Sequence, residues 1–513
     1  MEPTVITPLT AIADAVRGTL DADAFEPANR RLRLLDTIDR RLAARGWRLE
    51  VEPIADAPAD TWRLVNGTGK VRAQAQIPHP PPRLADELPE GPLRRTLEPV
   101  IWIRSLIPGP WITVTEDGAA LRDRDGKVRC RLVAQTAVTE GAGEQRSGVR
   151  VEPLKGYRRD SEKIAKRIAT RFGWSPSGPD ALTALAEALH AQSDESDEPS
   201  VTDAREAAGP ALRVVLLALL DVIERRRVGV IADIDCEELH ELRVAIRRTR
   251  SILSLLRTPE PDARLDHARE TFAWLGRVTG PTRDLDVHIL AWRAHRRQAS
   301  AGDAAALEPF GRFLMDERAK AHAALTRTLA TRRLASALAR WRRALSGSEA
   351  TWTRFEILRR PVGVLAGRRI LKLYRRALQE GTGITPETPA EALHALRKTM
   401  KKLRYVIEIV RDVYPARRVR ALLRTLRQLQ QVLGDVQDME VQAAALRRFG
   451  QVMGDSGTAG PATLMAIGAQ AEDLEIHRAE ARARFAEVFA PVAKPRFGKR
   501  LTALTRSGIG APE

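Results

Sequence analysis

Two patterns of hydrophobic and polar positions divide the chain near residue 155. Before that point, Trp111 to Thr115 alternates apolar and polar side chains, Arg124-Asp125-Gly126 is a turn signal, and Val128 to Val133 alternates again. Alternation is typical of half-buried strands, and a turn between two such runs predicts a β-hairpin. Short strands, turns and a few helical pieces together predict an α+β N-terminal region.

From Arg158 onward the apolar positions recur with the period of an α-helix. Residues 180–191 read as a further helix, and the acidic stretch 192–203, QSDESDEPSVTD, reads as a linker. Beyond it the pattern is helical almost throughout, and an all-α C-terminal domain is predicted. Helix breaks are expected near Gly280-Pro281, Gly381 to Gly383 and Gly454 to Gly460.

Length and composition agree with this division. A chain of 513 residues is long enough for two or three domains, and an aromatic share of only 4% favours aliphatic, helical cores. Two cysteines exclude a disulfide framework, and a reducing compartment is the simplest expectation. We predict an N-terminal domain at residues 1–191, the linker at 192–203 and a helical domain at 204–505.

The hydrophobic runs are too short to cross a bilayer. The longest, Val214 to Leu220, falls far below the roughly 20 residues of a spanning helix, and the N-terminus lacks the basic start of a signal peptide. We therefore expect a soluble, cytoplasmic protein that does not act at a membrane.

The positive charge is confined to the C-terminal part. Lys and Arg number 29 against 30 Asp and Glu in residues 1–200, but 55 against 36 in residues 201–513, so the net charges are −1 and +19. A basic field concentrates anions, and nucleic acid, an anionic membrane and an inorganic polyanion are all candidates. A solvated basic surface without a ligand is the alternative.

An internal repeat underlies the helical part. His240-Glu-Leu-Arg243 recurs as His394-Ala-Leu-Arg397, and the shift of 154 residues also matches Val278, Gly280 and Asp284 to Val432, Gly434 and Asp438. Several matches at one fixed shift indicate a duplication. We predict two repeated four-helix bundles, at about 206–350 and 356–500, each burying an aliphatic face against its own helices.

Both copies place a histidine on the cationic side of a helix. At about 100° per residue, Arg243, Arg247 and Arg250 fall on the side of His240, whereas Leu242, Ile246 and Leu253 lie opposite. The second copy repeats this with His394, Arg397, Lys401 and Arg404 against Leu396, Met400 and Leu403. Stacked like charges destabilise a helix, which suggests that a ligand offsets the repulsion.

The surrounding sequence suits a ligand with many phosphates. Residues 359–427 contain 18 Lys and Arg against five acids, and guanidinium groups hold phosphate oxygens in a fork. For the histidines, phosphate contact competes with a purely structural role. Metal binding is the weaker option, because no ligating residue stands three or four positions after either histidine. Asp284 and Asp438 either hold an arginine or histidine in place or sit at helix N-termini after Gly280 and Gly434.

These motifs resemble the CHAD family, named for its histidine-bearing α-helical domain. The likeness rests on HELRVAIRRTRS with WLGRVTGPTRDLDV, and on the copy EALHALRKTMKKLRYVIEIV with LQQVLGDVQDMEV, and it covers about residues 206–500. The resemblance implies two four-helix bundles with a basic channel that binds inorganic polyphosphate, and association with polyphosphate granules. The implied binding positions are His240, Arg243, Arg247, Arg250, Arg368, Arg369, Lys372, Arg376, His394, Arg397, Lys401 and Arg404.

Residues 1–190 resemble a degenerate CYTH domain, whose triphosphate-tunnel fold is an antiparallel sheet or barrel. The likeness rests on LLDTIDRRLAARGWRLEVE, ADTWRLVNGTGKVRAQAQIP and VRVEPLKGYRRDSEKIAKRI. The alternating Glu-x-Glu-x-Lys of the family is missing, and Glu50 and Glu52 stand where the family carries an Arg-x-Arg pair. Without the first set of carboxylates a catalytic metal ion has no ligands.

The favoured prediction is therefore a binding protein for inorganic polyphosphate, without catalytic residues, metal or cofactor. The alternative is a metal-dependent triphosphatase or polyphosphatase acting in the N-terminal domain, with a relocated metal site at Glu50 and Glu52. Nucleic-acid binding would explain the charge, but base-stacking aromatic residues are missing among the arginines.

Overall fold

The computed structural model describes residues 21–67, 69–123, 125–141, 143–172, 180–192, 199–257, 260–385 and 387–507. The chain divides into two compact units, Met1–Glu195 and Ser196–Glu513. The predicted linker at 192–203 includes residues 193–198, which lie outside the described residues. Its bounds and those of the two predicted domains stay predictions.

The first unit is built on one antiparallel sheet of seven strands in the order β4-β3-β2-β1-β5-β6-β7. Leu49, Val51, Trp62 and Leu64 of the two strands after β1 are almost fully buried. The strands are β1 (Asp21–Asp36), β2 (Trp47–Glu52), β3 (Ala59–Asn66), β4 (Val71–Pro78), β5 (Ile107–Arg122), β6 (Val128–Thr139) and β7 (Gln145–Pro153). Among the described residues of this unit, three α-helices accompany the sheet, α1 (Pro92–Ile101), α2 (Arg158–Phe172) and α3 (Ala181–Gln192).

The predicted hairpin is confirmed and is longer than the alternating stretches. β5 and β6 pair from Ile112 opposite Thr139 down to Arg122 opposite Val128. Gly126 closes the turn with φ of 76°, a conformation that glycine adopts without strain, and its N–H donates to the Asp123 carbonyl at 2.9 Å. The sheet and its helices confirm the α+β class.

The second unit contains fifteen helices among the described residues, which confirms the all-α prediction. They are α4 (Ala208–Ile231), α5 (Cys236–Leu255), α6 (Ala263–Val278), α7 (Gly280–Gln298), α8 (Ala301–Ala306), α9 (Glu308–Leu329), α10 (Arg332–Leu345), α11 (Glu349–Trp352), α12 (Glu356–Arg359), α13 (Val362–Thr382), α14 (Ala390–Ile409), α15 (Ala416–Asp455), α16 (Pro461–Ala483), α17 (Phe485–Ala493) and α18 (Pro495–Ser507). Within the part of the chain that is described, no helix has the length and apolar character of a membrane span.

The repeat is visible in the helix bounds. α5 and α14 have the same length and begin and end at positions 154 residues apart. The next segment differs, because α6 and α7 are separate helices whereas α15 runs unbroken through Gly434. At the matching position the second copy has Asp435 instead of Pro281. Proline lacks the N–H that would continue the ladder, so only the first copy is interrupted.

The helices of each half pack on one another, as expected, and the two halves also share a core. The largest core joins Leu242 and Phe272 of the first half to Leu396 and Leu433 of the second. A smaller core likewise packs Trp292 and Phe310 with Phe449 and Ile467. Apolar side chains of both copies are buried together, so the two halves share part of their interior.

Candidate anion-binding site of the helical unit

The N-cap of helix α5 and its buried apolar side together place the cations of this helix outside the core. Asp235 caps the helix by accepting from the Glu237 N–H at 2.7 Å. Leu242, Ile246 and Leu253 are at most 1% exposed, which fixes the rotation of the helix. The opposite side therefore presents Arg243 and Arg247, both half-buried, and the exposed Arg250.

Helix α14 repeats the arrangement. Leu396, Met400 and Leu403 are completely buried. Arg397, Lys401 and Arg404 are half-buried on the other side. The predicted split into an apolar and a cationic side therefore holds in both copies.

The two cationic sides meet because α5 packs against α14. Burial and the neighbouring guanidinium groups of Arg397 and Arg247 lower the pKa of Lys401 to about 8. Arg247 belongs to the first copy and Arg397 to the second, so the fields of both copies act on one lysine. We call this group the central cluster, comprising Arg243, Arg247, Arg250, Arg397, Lys401 and Arg404.

Backbone and hydroxyl oxygens position Arg243 in the central cluster. Its Nη1 donates to the Gly276 carbonyl at 3.1 Å and to the Thr279 hydroxyl at 2.8 Å. Burial and the charge of Arg247 lower the pKa of Arg243. A Cβ at Gly276 would stand 3.0 Å from Nη1 of Arg250, so glycine is what lets α6 approach these guanidinium groups.

Asp438 pairs with a cluster arginine, as one of the two alternatives for these aspartates predicted. Its Oδ1 lies 2.7 Å from Nη2 of Arg397. The other alternative, a helix N-terminus after Gly434, is wrong for Asp438 because Gly434 lies inside α15. Asp284 lies near the start of α7 and interacts electrostatically with Arg243 and Arg283.

A second group of cations lies beside the first. The charges of Arg257 and Arg376 act on Arg369, and those of Arg376, Arg369 and Lys398 act on Lys402. We call these five residues the side cluster; they come from α13, α14 and the segment after α5. The structure thus brings together Arg369 and Arg376 of the predicted set. Arg368 and Lys372 are exposed on the same helix, and Arg368 points a quarter turn away from Arg369.

The two histidines have different neighbours. Nδ1 of His394 forms a hydrogen bond with the side-chain Oε1 of Gln437. The ligating atoms of Glu237, His240 and Glu241 lie within 4.8 Å of one another, a grouping that is able to hold a metal ion. Glu237 stands three positions before His240, on the side of the histidine opposite to the positions where ligating residues are missing in the sequence.

Several cluster arginines retain donors that nothing in the described residues accepts from. The Nε atoms of Arg369, Arg397 and Arg404 are buried and have no hydrogen-bond partner. A buried donor without an acceptor costs free energy, and among the described residues only Arg404 has a carboxylate oxygen near its Nε, that of Glu408 at 3.6 Å. The three side chains are partly exposed, so their guanidinium groups suit a ligand with several negatively charged oxygens.

Sequence reasoning missed Arg257, Arg283 and Gln437. Arg257 follows the end of α5 and carries no periodic signal. Gln437 matches Arg283 at the repeat distance, so a comparison of the copies at every position would have singled out both.

The carboxylates of Glu50 and Glu52 in the sheet form hydrogen bonds with arginines of the same unit. Glu50 accepts from Arg30 at 3.2 Å and from Arg48 at 2.7 Å, and Glu52 accepts from Arg30 and Arg63. Partial burial raises the pKa of Glu52, but hydrogen bonds from Arg30 and Arg63 outweigh it and lower that pKa overall. Both glutamates do share one face of β2, as expected. A metal ion at this place would have to displace the guanidinium groups.

Comparisons with known proteins address the helical unit. Residues 214–447 match the family model of the CHAD domain. The crystal structure of the CHAD domain from the plant Ricinus communis is 23% identical, with 57% of this chain and 96% of that chain covered and a TM-score of 0.46. The structure of PptA from Streptomyces chartreusis is 19% identical, covering 55% and 99%, with a TM-score of 0.41. The comparison with curated proteins finds no match. The N-terminal sheet is compatible with a CYTH-like fold.

Proposed function

Residues 214–447 form a CHAD domain, and from this premise we propose that the protein is a non-catalytic binding protein for inorganic polyphosphate. The bound chain would contact the central cluster and continue onto the side cluster. In the cell, the protein would associate with polyphosphate granules.

One observation carries the proposal: α5 and α14, one from each repeat, direct their cationic sides at each other. Burial, together with the charges of Arg397 and Arg247, lowers the pKa of Lys401 to about 8. Such crowding is unfavourable in the free protein and is relieved by a polyanion. Asp438 pairs with Arg397 and Glu408 lies 3.6 Å from Arg404, so the six cations of the central cluster still outnumber these carboxylates.

A chain of phosphates fits better than one phosphate. The central cluster alone contains six cations on two helices, and the side cluster adds five on adjoining elements. Arginine binds phosphate oxygens through paired N–H groups, and lysine contributes a movable charge. Regularly spaced phosphates would satisfy many of these groups at once.

Nucleic acid is the less suitable polyanion. Binding of single strands without sequence preference uses exposed aromatic rings on which bases stack. Tyr405 lies beneath the guanidinium of Arg404, with 5.3 Å between the Arg404 Cζ and the ring centroid, but it is only 9% exposed. The clusters therefore offer phosphate contacts without a stacking surface.

For the N-terminal unit we propose a role as scaffold or second docking surface. The ion pairs of Glu50 and Glu52 with arginines support this assignment over the alternative, a metal-dependent triphosphatase. Phosphate release from tripolyphosphate in the presence of Mg²⁺ or Mn²⁺ tests the alternative. Metal-dependent turnover that is lost in Glu50→Gln, Glu52→Gln would establish the enzyme and refute the non-catalytic proposal.

The decisive experiment titrates the full chain with polyphosphates of defined length over a series of salt concentrations. We expect affinity to fall steeply with salt, since each neutralised phosphate releases counterions. A single-stranded DNA of equal charge should compete only weakly, because the clusters lack exposed aromatic rings for its bases. A flat salt response, or DNA that displaces polyphosphate at equal phosphate concentration, would contradict the proposal.

Granule association needs a separate test. A fluorescent fusion should co-localise with polyphosphate granules and become diffuse in Arg247→Gln, Lys401→Gln. The matched control is Arg447→Gln, Arg448→Gln, which removes equal charge outside both clusters. Persistent granule localisation of the cluster variant would mean that another surface recruits the protein.

A further inference from the structure

The amine of Lys401 is open to solvent within the central cluster. Its side chain is half-buried on the cationic side of α14. Nζ forms no hydrogen bond or ion pair with the described residues, and it does not belong to the enclosed nitrogen and oxygen atoms that lack a partner there, so solvent reaches it. A small molecule that enters the cluster can therefore contact this nitrogen.

Three helices carry the charged groups that act on this amine. Arg397 and Arg404 lie about one turn before and after Lys401 on α14, Arg247 lies on α5, and Asp438 lies on α15. The carboxylate of Asp438 accepts from Nη2 of Arg397 at 2.7 Å. Guanidinium groups therefore predominate around Lys401, and such groups hold phosphate oxygens through paired N–H groups.

A lysine amine attacks an electrophile only in its neutral form. Burial, with the charges of Arg397 and Arg247, lowers the pKa of Lys401 to about 8, so about a quarter of this amine is neutral near pH 7.5. Lys320 is the opposite case. It is exposed on α9, its Nζ donates to Glu317 at 2.7 Å, and this hydrogen bond raises its pKa. Far more neutral amine is therefore available at Lys401 than at Lys320.

We propose that Lys401 is a modification site at which a small acyl phosphate transfers its acyl group to Nζ. The guanidinium groups of the central cluster hold the phosphate group of the donor beside the open amine. The neutral amine attacks the acyl carbon, and the bond between that carbon and the phosphate oxygen breaks. The products are an amide on Lys401 and inorganic phosphate, which takes up the proton that the nitrogen releases.

Acylation removes a charge from the middle of the central cluster, because an amide nitrogen is not protonated. The consequence for polyphosphate rests on the proposed function: affinity should fall about tenfold once Lys401 is acylated. Bound polyphosphate in turn covers the amine and should protect it from the acyl phosphate. The modification and the polyanion would thus exclude each other at one site.

The test is incubation of the full chain with acetyl phosphate near pH 7.5, followed by mass spectrometry of its peptides. We expect Lys401 to be acetylated at least about tenfold faster than Lys320, since more of its amine is neutral. With increasing pH, the rate at Lys401 should level off at a lower pH than the rate at Lys320. Acetylation of Lys401 that is no faster than that of Lys320 would overturn the proposal.

A neutral acetyl donor, 4-nitrophenyl acetate, separates phosphate recognition from amine reactivity. The preference for Lys401 over Lys320 should be about tenfold smaller with this donor, because it offers no phosphate to the guanidinium groups. Equal preference with both donors would refute the assignment of an acyl phosphate.

Arg247→Gln should reduce the ratio of the two rates at Lys401, acetyl phosphate over 4-nitrophenyl acetate, about tenfold. This ratio cancels any change in the pKa of the amine. Arg343→Gln, which removes an exposed arginine of α10, is the control and should leave the ratio unchanged. An equal ratio in wild type and Arg247→Gln would contradict phosphate recognition by the cluster.

Excess polyphosphate distinguishes this inference from the proposed function. It should slow acetylation of Lys401 and leave Lys320 unaffected. Rapid acetylation of Lys401 that polyphosphate does not slow would confirm the modification site and count against polyphosphate binding at the central cluster.

Discussion

The sheet unit and the helical unit use arginine in opposite ways. In the sheet, Arg30, Arg48 and Arg63 are tied to Glu50 and Glu52 by hydrogen bonds of 2.5 to 3.4 Å. In the helical unit, the cations of the central cluster mostly face one another, and their burial and mutual repulsion depress the pKa of Lys401. In the sheet each of these arginines has a carboxylate partner, and we call Arg30, Arg48, Arg63, Glu50 and Glu52 the closed network. In the central cluster the cations outnumber their carboxylate partners, and we call this cluster the open network.

This difference shows that the number of cations does not decide function. A guanidinium that is paired with a carboxylate contributes to the fold and has few donors left for a ligand. A guanidinium among other cations raises the free energy of the free protein and so favours a bound anion. The arrangement of acids around the arginines is what separates a structural network from a candidate binding surface.

Breaking the closed network should have the largest effect. Glu50 is 4% exposed, and Glu50→Gln removes the carboxylate that accepts from both Arg30 and Arg48, which keep Glu52 and Asp180 as their other partners. We expect the free energy of unfolding of the sheet unit to fall by about 3 kcal/mol, because two buried charge-assisted hydrogen bonds are weakened. Hydrogen exchange of β2 and β3 in increasing urea measures this for the sheet alone.

The control for this change is Glu140→Gln. Glu140 pairs with Arg31 at 2.7 Å, but both side chains are largely exposed, so little change is expected. Equal exchange rates for Glu50→Gln and wild type would mean that the network contributes nothing to the fold.

Removing cations from the open network should mainly change binding. Arg247→Gln with Lys401→Gln deletes one member from each repeat, and we expect polyphosphate affinity at low salt to fall about 50-fold, or roughly 2.3 kcal/mol. Unfolding free energy should stay the same or rise, because like-charge repulsion is relieved. Titration and urea unfolding of the same variant give the two numbers.

The double variant Arg447→Gln, Arg448→Gln has the same net charge and is the reference. If it loses as much affinity as the cluster variant, overall charge explains binding and the clusters have no special role.

Binding should also be coupled to protonation of Lys401. A polyanion favours the ammonium form and raises the depressed pKa from about 8. The contribution of Lys401 to affinity is therefore fully present below about pH 8 and disappears as pH rises through the higher pKa of the complex. Titration near pH 9 in two buffers of different ionisation enthalpy should detect net proton uptake and an affinity change of about tenfold across this range.

Lys401→Arg keeps the charge but does not titrate in this range, so its complex should form without this uptake. Unchanged proton uptake in Lys401→Arg would assign the proton to another group.

The smallest effect on polyphosphate affinity should come from removing a carboxylate that pairs with the central cluster. Asp438→Asn removes the carboxylate that competes for Arg397, and polyphosphate should bind about threefold more tightly. Asp455→Asn, at the end of the same helix, is the charge-matched control. A loss of affinity in Asp438→Asn would show that the aspartate positions Arg397 for the ligand instead of competing with it.

Local pattern was sufficient for much of the fold and for the composition of the candidate site. The alternation in Trp111 to Thr115 and the turn at Gly126 predicted the β5–β6 hairpin, because strand period and turn conformation are local properties. The helical period of 3.6 residues per turn predicted which side of α5 and of α14 carries the cations, because side-chain direction follows from that period. The shift of 154 residues indicated a duplication, and the bounds of α5 and α14 are separated by the same distance.

Only the tertiary structure decided which charges meet. Three examples involve residues that are distant in sequence. The charge of Arg247 acts on Lys401, and that of Arg257 acts on Arg369. In the sheet, Arg30 pairs with Glu50 and Glu52. Electrostatic energy varies with the distance between charges and with their burial, and neither quantity is written in a local pattern. The cores shared by the two halves arise in the same way, from the packing of whole helices against each other.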